Sequence, residues 1–234
     1  MGAEAFAGPV GIPLAAPNRL EGDLHVPGGA RGIVLFAHGS GSSRFSRRNV
    51  QVATALRAAG MATLLMDLLT AEEERVDAVT RHLRFDVDLL AARLVVATDW
   101  LRAQPATSGL RIGYFGASTG AAAALIAAAE RPEVVAAVVS RGGRPDLAHA
   151  RLAEVRAPTL LIVGGLDEAV IAMNREAFAE LGVEKRLEIV PGATHLFEEP
   201  GTLEEVARLA RDWFADHFAD TSGPVARPGF AGTA

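Results

Sequence analysis

Short, nearly continuous apolar runs alternate with longer amphipathic stretches along most of this 234-residue chain. Residues 33–37, 62–66, 110–115, 134–139, 159–163 and 186–190 read as strands, and the unbroken apolar character of most of them suits a sheet covered on both faces. Residues 50–59 carry helical periodicity and stop at Gly60. A longer amphipathic helix is predicted over 86–101, broken by proline and glycine at 104–109. Helices over 121–130, 168–181 and 203–218 complete the alternation. Ahead of it, 10–15 and 20–26 suggest a hairpin, and Gly28-Gly29 turns the chain into the first buried strand.

Repeated strand–helix units predict an α/β fold with a mostly parallel central sheet flanked by helices. No internal repeat or second domain shows in the pattern. The chain divides into an N-terminal segment, 1–19, with an edge strand, a single domain over 20–220, and a tail over 221–234. That tail is rich in glycine and small residues, which predicts flexibility. Between Ser140 and Pro158 there is room for a loop and one short helix, so no large lid domain is expected. Residues 68–85 have the length for a smaller rim.

Half the residues are hydrophobic, 22% are charged, and the formal net charge is -5. This balance gives no general attraction to nucleic acid or an anionic membrane surface. With no cysteine, thiolate nucleophiles, disulfides and iron–sulfur ligation are excluded. No charge-free apolar span reaches the length of a membrane-crossing helix. The first residues contain Glu4 and no basic cluster before a long apolar run, so no secretory signal is expected and a cytoplasmic location is the default. The histidines are dispersed without a ligand pair, which predicts no metal. Gly113, Gly116 and Gly120 do not have dinucleotide-motif spacing, no phosphate-loop pattern occurs, and no cofactor is expected.

One motif stands out against that background. Gly116-Ala117-Ser118-Thr119-Gly120 lies between the 110–115 strand and a run of small helix formers. A serine on so sharp a strand-to-helix turn has its hydroxyl exposed at the top of a sheet, as in a nucleophile elbow. Ser118 needs a base, and the base needs an orienter. Asp167 follows the 159–163 strand, and His195 follows the 186–190 strand. In a parallel sheet these loops emerge at the same end as Ser118. The set predicts Ser118 as nucleophile, His195 as general base and Asp167 as orienter. The plainer alternatives are a loop or helix-cap carboxylate at Asp167, beside Glu168, and a surface or core histidine at His195. His25, His82, His149 and His217 do not follow the terminal strand and are weaker candidates.

A tetrahedral acyl intermediate also needs donors for its oxyanion. The small residues over 36–43 suit that task, so the backbone N–H groups of Ser40 and Thr119 are the predicted pair, with Gly41 as alternate. His38 is expected to organise this loop by hydrogen bonding. Arg44, Arg47, Arg48, Arg141 and Arg144 follow strands near the same end. Gly41, Arg44 and Arg141 are therefore candidate substrate-binding residues, suited to an acidic ester or lactone. The competing reading is a solvated surface in a chain whose only lysine is Lys185.

These residues resemble alpha/beta hydrolases of the dienelactone-hydrolase-related group, over roughly 20–218 and most clearly at 36–43, 113–121, 159–167 and 191–197. The resemblance implies an alpha/beta-hydrolase fold with an eight-stranded-type sheet, Ser118, Asp167 and His195 at the family's nucleophile, acid and histidine positions, and no metal or organic cofactor. Dienelactone hydrolases proper carry cysteine where this chain has Ser118, which favours a broader carboxylic-ester hydrolase. Related domains also occur beside phosphoribosyltransferase domains; no such companion is visible in this chain. The expected activity is that of a serine hydrolase cleaving small or medium soluble esters or lactones through an acyl-enzyme. The alternative is a degenerate hydrolase-fold module that binds a small molecule or a partner.

Overall fold

A computed structural model describes residues 6–219. The tail expected over 221–234 lies outside the described residues. One eight-stranded sheet organises the rest, in the order β1-β2-β4-β3-β5-β6-β7-β8. β1 (Phe6–Pro13) and β2 (Arg19–Val26) form the antiparallel hairpin, with Ile12 opposite Leu20. The first strand lies further toward the N-terminus than the 10–15 expectation. Leu14 N–H bonds Asn18 O and Asn18 N–H bonds Ala15 O, each at 3.0 Å, so Leu14 and Ala15 belong to the turn.

β2 runs antiparallel to β4 (Ala62–Met66), and every later pairing is parallel. β3 (Gly32–Ala37) lies between β4 and β5 (Arg111–Ala117), followed by β6 (Val135–Arg141), β7 (Thr159–Gly164) and β8 (Lys185–Val190). β3, β4 and β7 are buried at every position because helices cover both faces, which is why their sequences lack alternation. β1 and β8 are the two edge strands; β8 exposes Arg186, and an Arg186–Glu188 ion pair lies along it, charges that discourage edge-to-edge pairing.

On one face, α1 (Arg47–Ala58) packs against α6 (Thr202–Phe218) over Phe36, Phe115, Phe214 and Phe218. On the other, α3 (Val87–Ala103), α4 (Thr119–Glu130) and α5 (Glu168–Glu180) cover a separate apolar cluster. α4 is buried from Thr119 through Ala129, and its alanines let it sit closely between α3 and the sheet. The expected rim over 68–85 is a helix, α2 (Ala71–Thr80), followed by a 3-10 turn at Leu83–Phe85. Few apolar positions mark α2. A capping box starts it: Thr70 Oγ1 accepts from Glu73 N–H, and Glu73 Oε2 accepts from Thr70 N–H. Between β6 and β7 the chain makes a kinked 3-10 segment, Pro145–Glu154, and no lid.

Candidate active site

The ends of β5, β6, β7 and β8 build the site. Ser118 follows β5 with φ 50° and ψ -122°, a backbone conformation that non-glycine residues rarely adopt. Such a conformation costs about 1–3 kcal/mol and persists only where neighbours hold it. Three backbone bonds do so: Ser118 N–H to Arg141 O (3.2 Å), Arg144 N–H to Ser118 O (3.1 Å) and Ala121 N–H to Ser118 O (3.0 Å). The flanking glycines give the turn its room. A Cβ on Gly116 would lie 2.4 Å from Ala121 Cα, and one on Gly120 would lie 2.3 Å from Ala37 O.

Asp167 and His195 meet because their loops are stitched together. Gly165 N–H bonds Val190 O at 2.8 Å, and Leu166 N–H bonds Ala193 O at 2.9 Å. Thr194 donates through its N–H and hydroxyl to Glu199, at 3.0 and 2.6 Å, clasping the loop that carries the imidazole. His195 Nδ1 then stands 2.7 Å from Asp167 Oδ2. A carboxylate accepts, so the ring donates to it through Nδ1–H, which leaves Nε2 as the nitrogen free to face the cavity. His195 and Ser118 line one cavity of about 240 Å³, together with Ser40, Arg48, Asn49 and Arg141. No hydrogen bond joins Ser118 and His195 among the described residues.

The loop after β3 closes another side of this cavity. His38 is buried, lies with Nδ1 3.0 Å from Gly39 O, and accepts Leu68 N–H on Nε2 at 3.2 Å. Burial pushes its ring below the ordinary histidine range, so the neutral form supplies one donor and one acceptor to the loop. Thr119 is the first residue of α4, and its N–H has no carbonyl to bond within the helix. Ser40 N–H is already engaged: it donates to Thr119 Oγ1 at 2.9 Å. Thus the two expected donor residues are in direct contact, and the Thr119 side chain has a part that its sequence position did not suggest.

The arginines separate sharply. Arg44 is turned to the rim, where its N–H bonds Asp67 Oδ1 at 2.8 Å and its guanidinium pairs with Asp67 and Asp23. Two carboxylates neutralise it and it does not line the cavity, so the structure does not bring Arg44 to the substrate position expected of it. Gly41 (φ 69°) packs beside Arg84 and faces neighbouring clefts instead. Arg141 does line the cavity. Asn49, at the start of α1, is buried against Arg141 and carried no sequence signal of its own. No group of three or more His, Asp or Glu residues among those described could hold a metal ion. No described helix is long and apolar enough to cross a membrane.

Residues 21–219 match the model of the dienelactone hydrolase family. The chain belongs to the dienelactone hydrolase family. It is similar to the dienelactone hydrolase of Anabaena variabilis in its crystal structure, with 62% identity and a TM-score of 0.89 over 91% of this chain and 98% of that one. Among curated relatives, the Mycobacterium tuberculosis protein named "Putative phosphoribosyl transferase Rv0571c" is 60% identical over 204 residues, 87% of this chain. The chain spans 45% of that protein's length. Est1E from Butyrivibrio proteoclasticus, at 16% identity, shares the fold with a TM-score of 0.76 over 91% of this chain and all of that one. The family's alpha/beta-hydrolase fold, with its eight-stranded, mostly parallel sheet and flanking helices, is therefore the fold of this chain, with no extra domain among the described residues.

Proposed function

We propose that this dienelactone hydrolase family member is a serine hydrolase that cleaves carboxylic esters or lactones of small to medium size through an acyl-enzyme. The observation carrying this reading is the 2.7 Å Asp167–His195 pair on the cavity that also holds Ser118 at its strained turn. Ser118 Oγ attacks the carbonyl carbon while His195 Nε2 takes its proton. Asp167 keeps Nδ1–H in place and stabilises the imidazolium that forms. His195 then passes the proton to the leaving alcohol, and in a second round activates the water that releases the acid.

The oxyanion develops between the N–H groups of Thr119 and Ser40. A lost donor of this kind typically lowers kcat by about a hundred- to a thousandfold. Because Ser40 N–H rests on Thr119 Oγ1, it must be shared with, or released to, the oxyanion as that charge appears. The cavity of about 240 Å³, with only a short segment, Pro145–Glu154, between β6 and β7, suits compact substrates.

Purified wild type and Ser118→Ala, treated with a fluorophosphonate and then assayed on esters, lactones, thioesters and amides, test the reading. Wild type labels at Ser118 and turns over at least one substrate class; the variant folds, does not label and does not turn over. Full turnover by Ser118→Ala rejects Ser118 as nucleophile. Absence of both labelling and turnover in folded wild type favours the binding-module alternative.

A further inference from the structure

The loop that carries His195 runs from the end of β8 to the start of α6, and it is strained. Phe197, two residues past the histidine, has φ 56°, a region that costs a non-glycine residue free energy and persists only where the surroundings hold it. Inside the loop, Phe197 N–H bonds Thr194 O at 3.2 Å, and Glu199 takes both donors of Thr194. Beneath it, the Phe197 ring is buried in the apolar cluster under α1 and α6. The N–H groups of Gly165 and Leu166 hold it on the side of Asp167.

A further tie comes from α1. Arg48, the second residue of that helix, donates from Nη1 to Glu198 Oε1 at 2.9 Å, joining residues 150 apart in the chain. Gln51, three residues on and so on the same helix face, donates from Nε2 to Glu204 Oε1 at 3.1 Å. α1 therefore grips the chain just after the histidine and again in the first turn of α6. Arg48 also lines the cavity that holds Ser118 and His195, whereas Glu198 is exposed and does not line it. Among the described residues Arg48 is the one ion-pair partner of Glu198. The placement of this loop matters because Ser118 and His195 share the cavity with no hydrogen bond between them among the described residues. In the proposed reaction the imidazole closes that gap, and a misplacement of about 1 Å can lower a rate by about a hundredfold.

We infer that Arg48 and Glu198 are a positioning pair that draws the His195 loop toward α1 and the cavity, and so sets how readily the imidazole takes the Ser118 proton. The inference rests on the proposed hydrolase reading for its effect on rate, but the tie itself does not depend on turnover. An exposed ion pair adds little to the stability of a fold. Its weight here comes from where it pulls: on a strained loop, one end of which carries the base. Glu198 acts through His195 and touches no reacting atom.

The test compares wild type, Glu198→Gln, Glu198→Lys and the reversed pair Arg48→Glu with Glu198→Lys. Four readouts are taken on each: fluorophosphonate labelling rate, kcat and KM on 4-nitrophenyl butyrate, Tm, and hydrogen exchange of the amides at 194–199. Glu198→Gln should slow labelling and kcat by about two- to fivefold and speed loop exchange by a similar factor. KM should hold, because Glu198 does not line the cavity, and the variant should stay fully folded at the assay temperature. Glu198→Lys sets like charges together and should slow labelling by about tenfold. The reversed pair should bring labelling and exchange back to within about twofold of wild type. Glu205→Gln, which breaks an exposed pair with Arg208 along α6, is the control and should change neither. Unchanged labelling in both single variants, failure of the reversed pair to restore labelling and exchange, or an equal loss in Glu205→Gln overturns the inference. If wild type neither labels nor cleaves any ester while loop exchange still follows the pair, the hydrolase reading fails and the tie stands. If loop exchange does not follow the pair either, the tie fails as well.

Discussion

Gly120→Ala tests whether the turn at Ser118 depends on the close approach of α4 to the end of β3. A Cβ at this position would sit 2.3 Å from Ala37 O and 2.5 Å from His38 O, whereas ordinary contact starts near 3.4 Å. The obstructing atoms are backbone carbonyls within the sheet and oxyanion loop, so no side chain can swing aside. Relief requires α4 to move by about 1 Å from the strand, and overpacking of this kind costs about 1–3 kcal/mol. Backbone obstruction places the expected loss near the top of that range, at about 3 kcal/mol. In a domain of this size each kcal/mol moves Tm by about 2–4 °C, so Gly120→Ala should melt about 6–12 °C below wild type. Displacing Ser118 and Thr119 together by that distance should also slow fluorophosphonate labelling by about a hundredfold. Gly182→Ala is the control: a Cβ there meets nothing within 4 Å, and the change should leave Tm level or raise it slightly. Thermal melts with the labelling rate measured in parallel decide the matter. A Gly120→Ala protein that melts within a degree or two of wild type would refute the steric argument, as would an equal loss in Gly182→Ala.

Two further outcomes follow from the oxyanion loop. Burial lowers the His38 pKa from 6.5, with Gly39 O, Asp67 and Glu74 acting more weakly in the opposite sense. Its contribution to stability is therefore complete above pH 6.5 and is lost as pH falls through the lowered native value. His38→Gln should remove part of the fall in Tm between pH 7 and pH 5, at a cost of about 1–2 kcal/mol at pH 7.5; an unchanged pH slope would exclude His38 as its source. Thr119→Ala keeps the backbone donor and should hold kcat within about tenfold, whereas Thr119→Pro removes the N–H and should lower it about a hundredfold or more. Steady-state kinetics on one ester, with melts to verify folding, separates the two, and equal losses would assign the effect to the hydroxyl that holds Ser40.

Most of the sheet was readable because β3, β4 and β7 are covered on both faces and so appear as unbroken apolar runs. The opposite condition concealed α2. Its sequence, AEEERVDAVT, leaves most positions exposed, and among its residues only Asp77 is buried. The readable signal there was Thr70-x-x-Glu73, a capping pair, and not periodicity. The positions of Ser118, Asp167 and His195 at one end of the sheet were legible from their places after β5, β7 and β8. The arginines were not, because Arg44 and Arg141 both follow strands and differ only in their spatial neighbours. Asp67 and Asp23 neutralise the first, and no carboxylate among the described residues pairs with the second. The Ser40–Thr119 contact was equally hidden, since it joins residues 79 apart in the chain through a side chain whose backbone alone drew notice.

Strand order bears on the proposed site, whose residues Ser118, Asp167 and His195 follow β5, β7 and β8. β5 and β8 are three steps apart in the sheet, or about 14 Å at the usual strand spacing. Asp167 and His195 follow adjacent strands and meet directly, but in the proposed mechanism the imidazole must reach past the ends of β7 and β6 toward Ser118. It crosses over Gly142, the residue after Arg141, which has φ 51°. A Cβ on Gly142 would lie 3.0 Å from His195 O and 3.5 Å from His195 Nδ1. Any side chain there would be strained in its backbone and would press the histidine loop away from the cavity. The end of β6 therefore leaves room at Gly142 for the loop that carries His195, which is what the proposed approach of the imidazole to Ser118 requires.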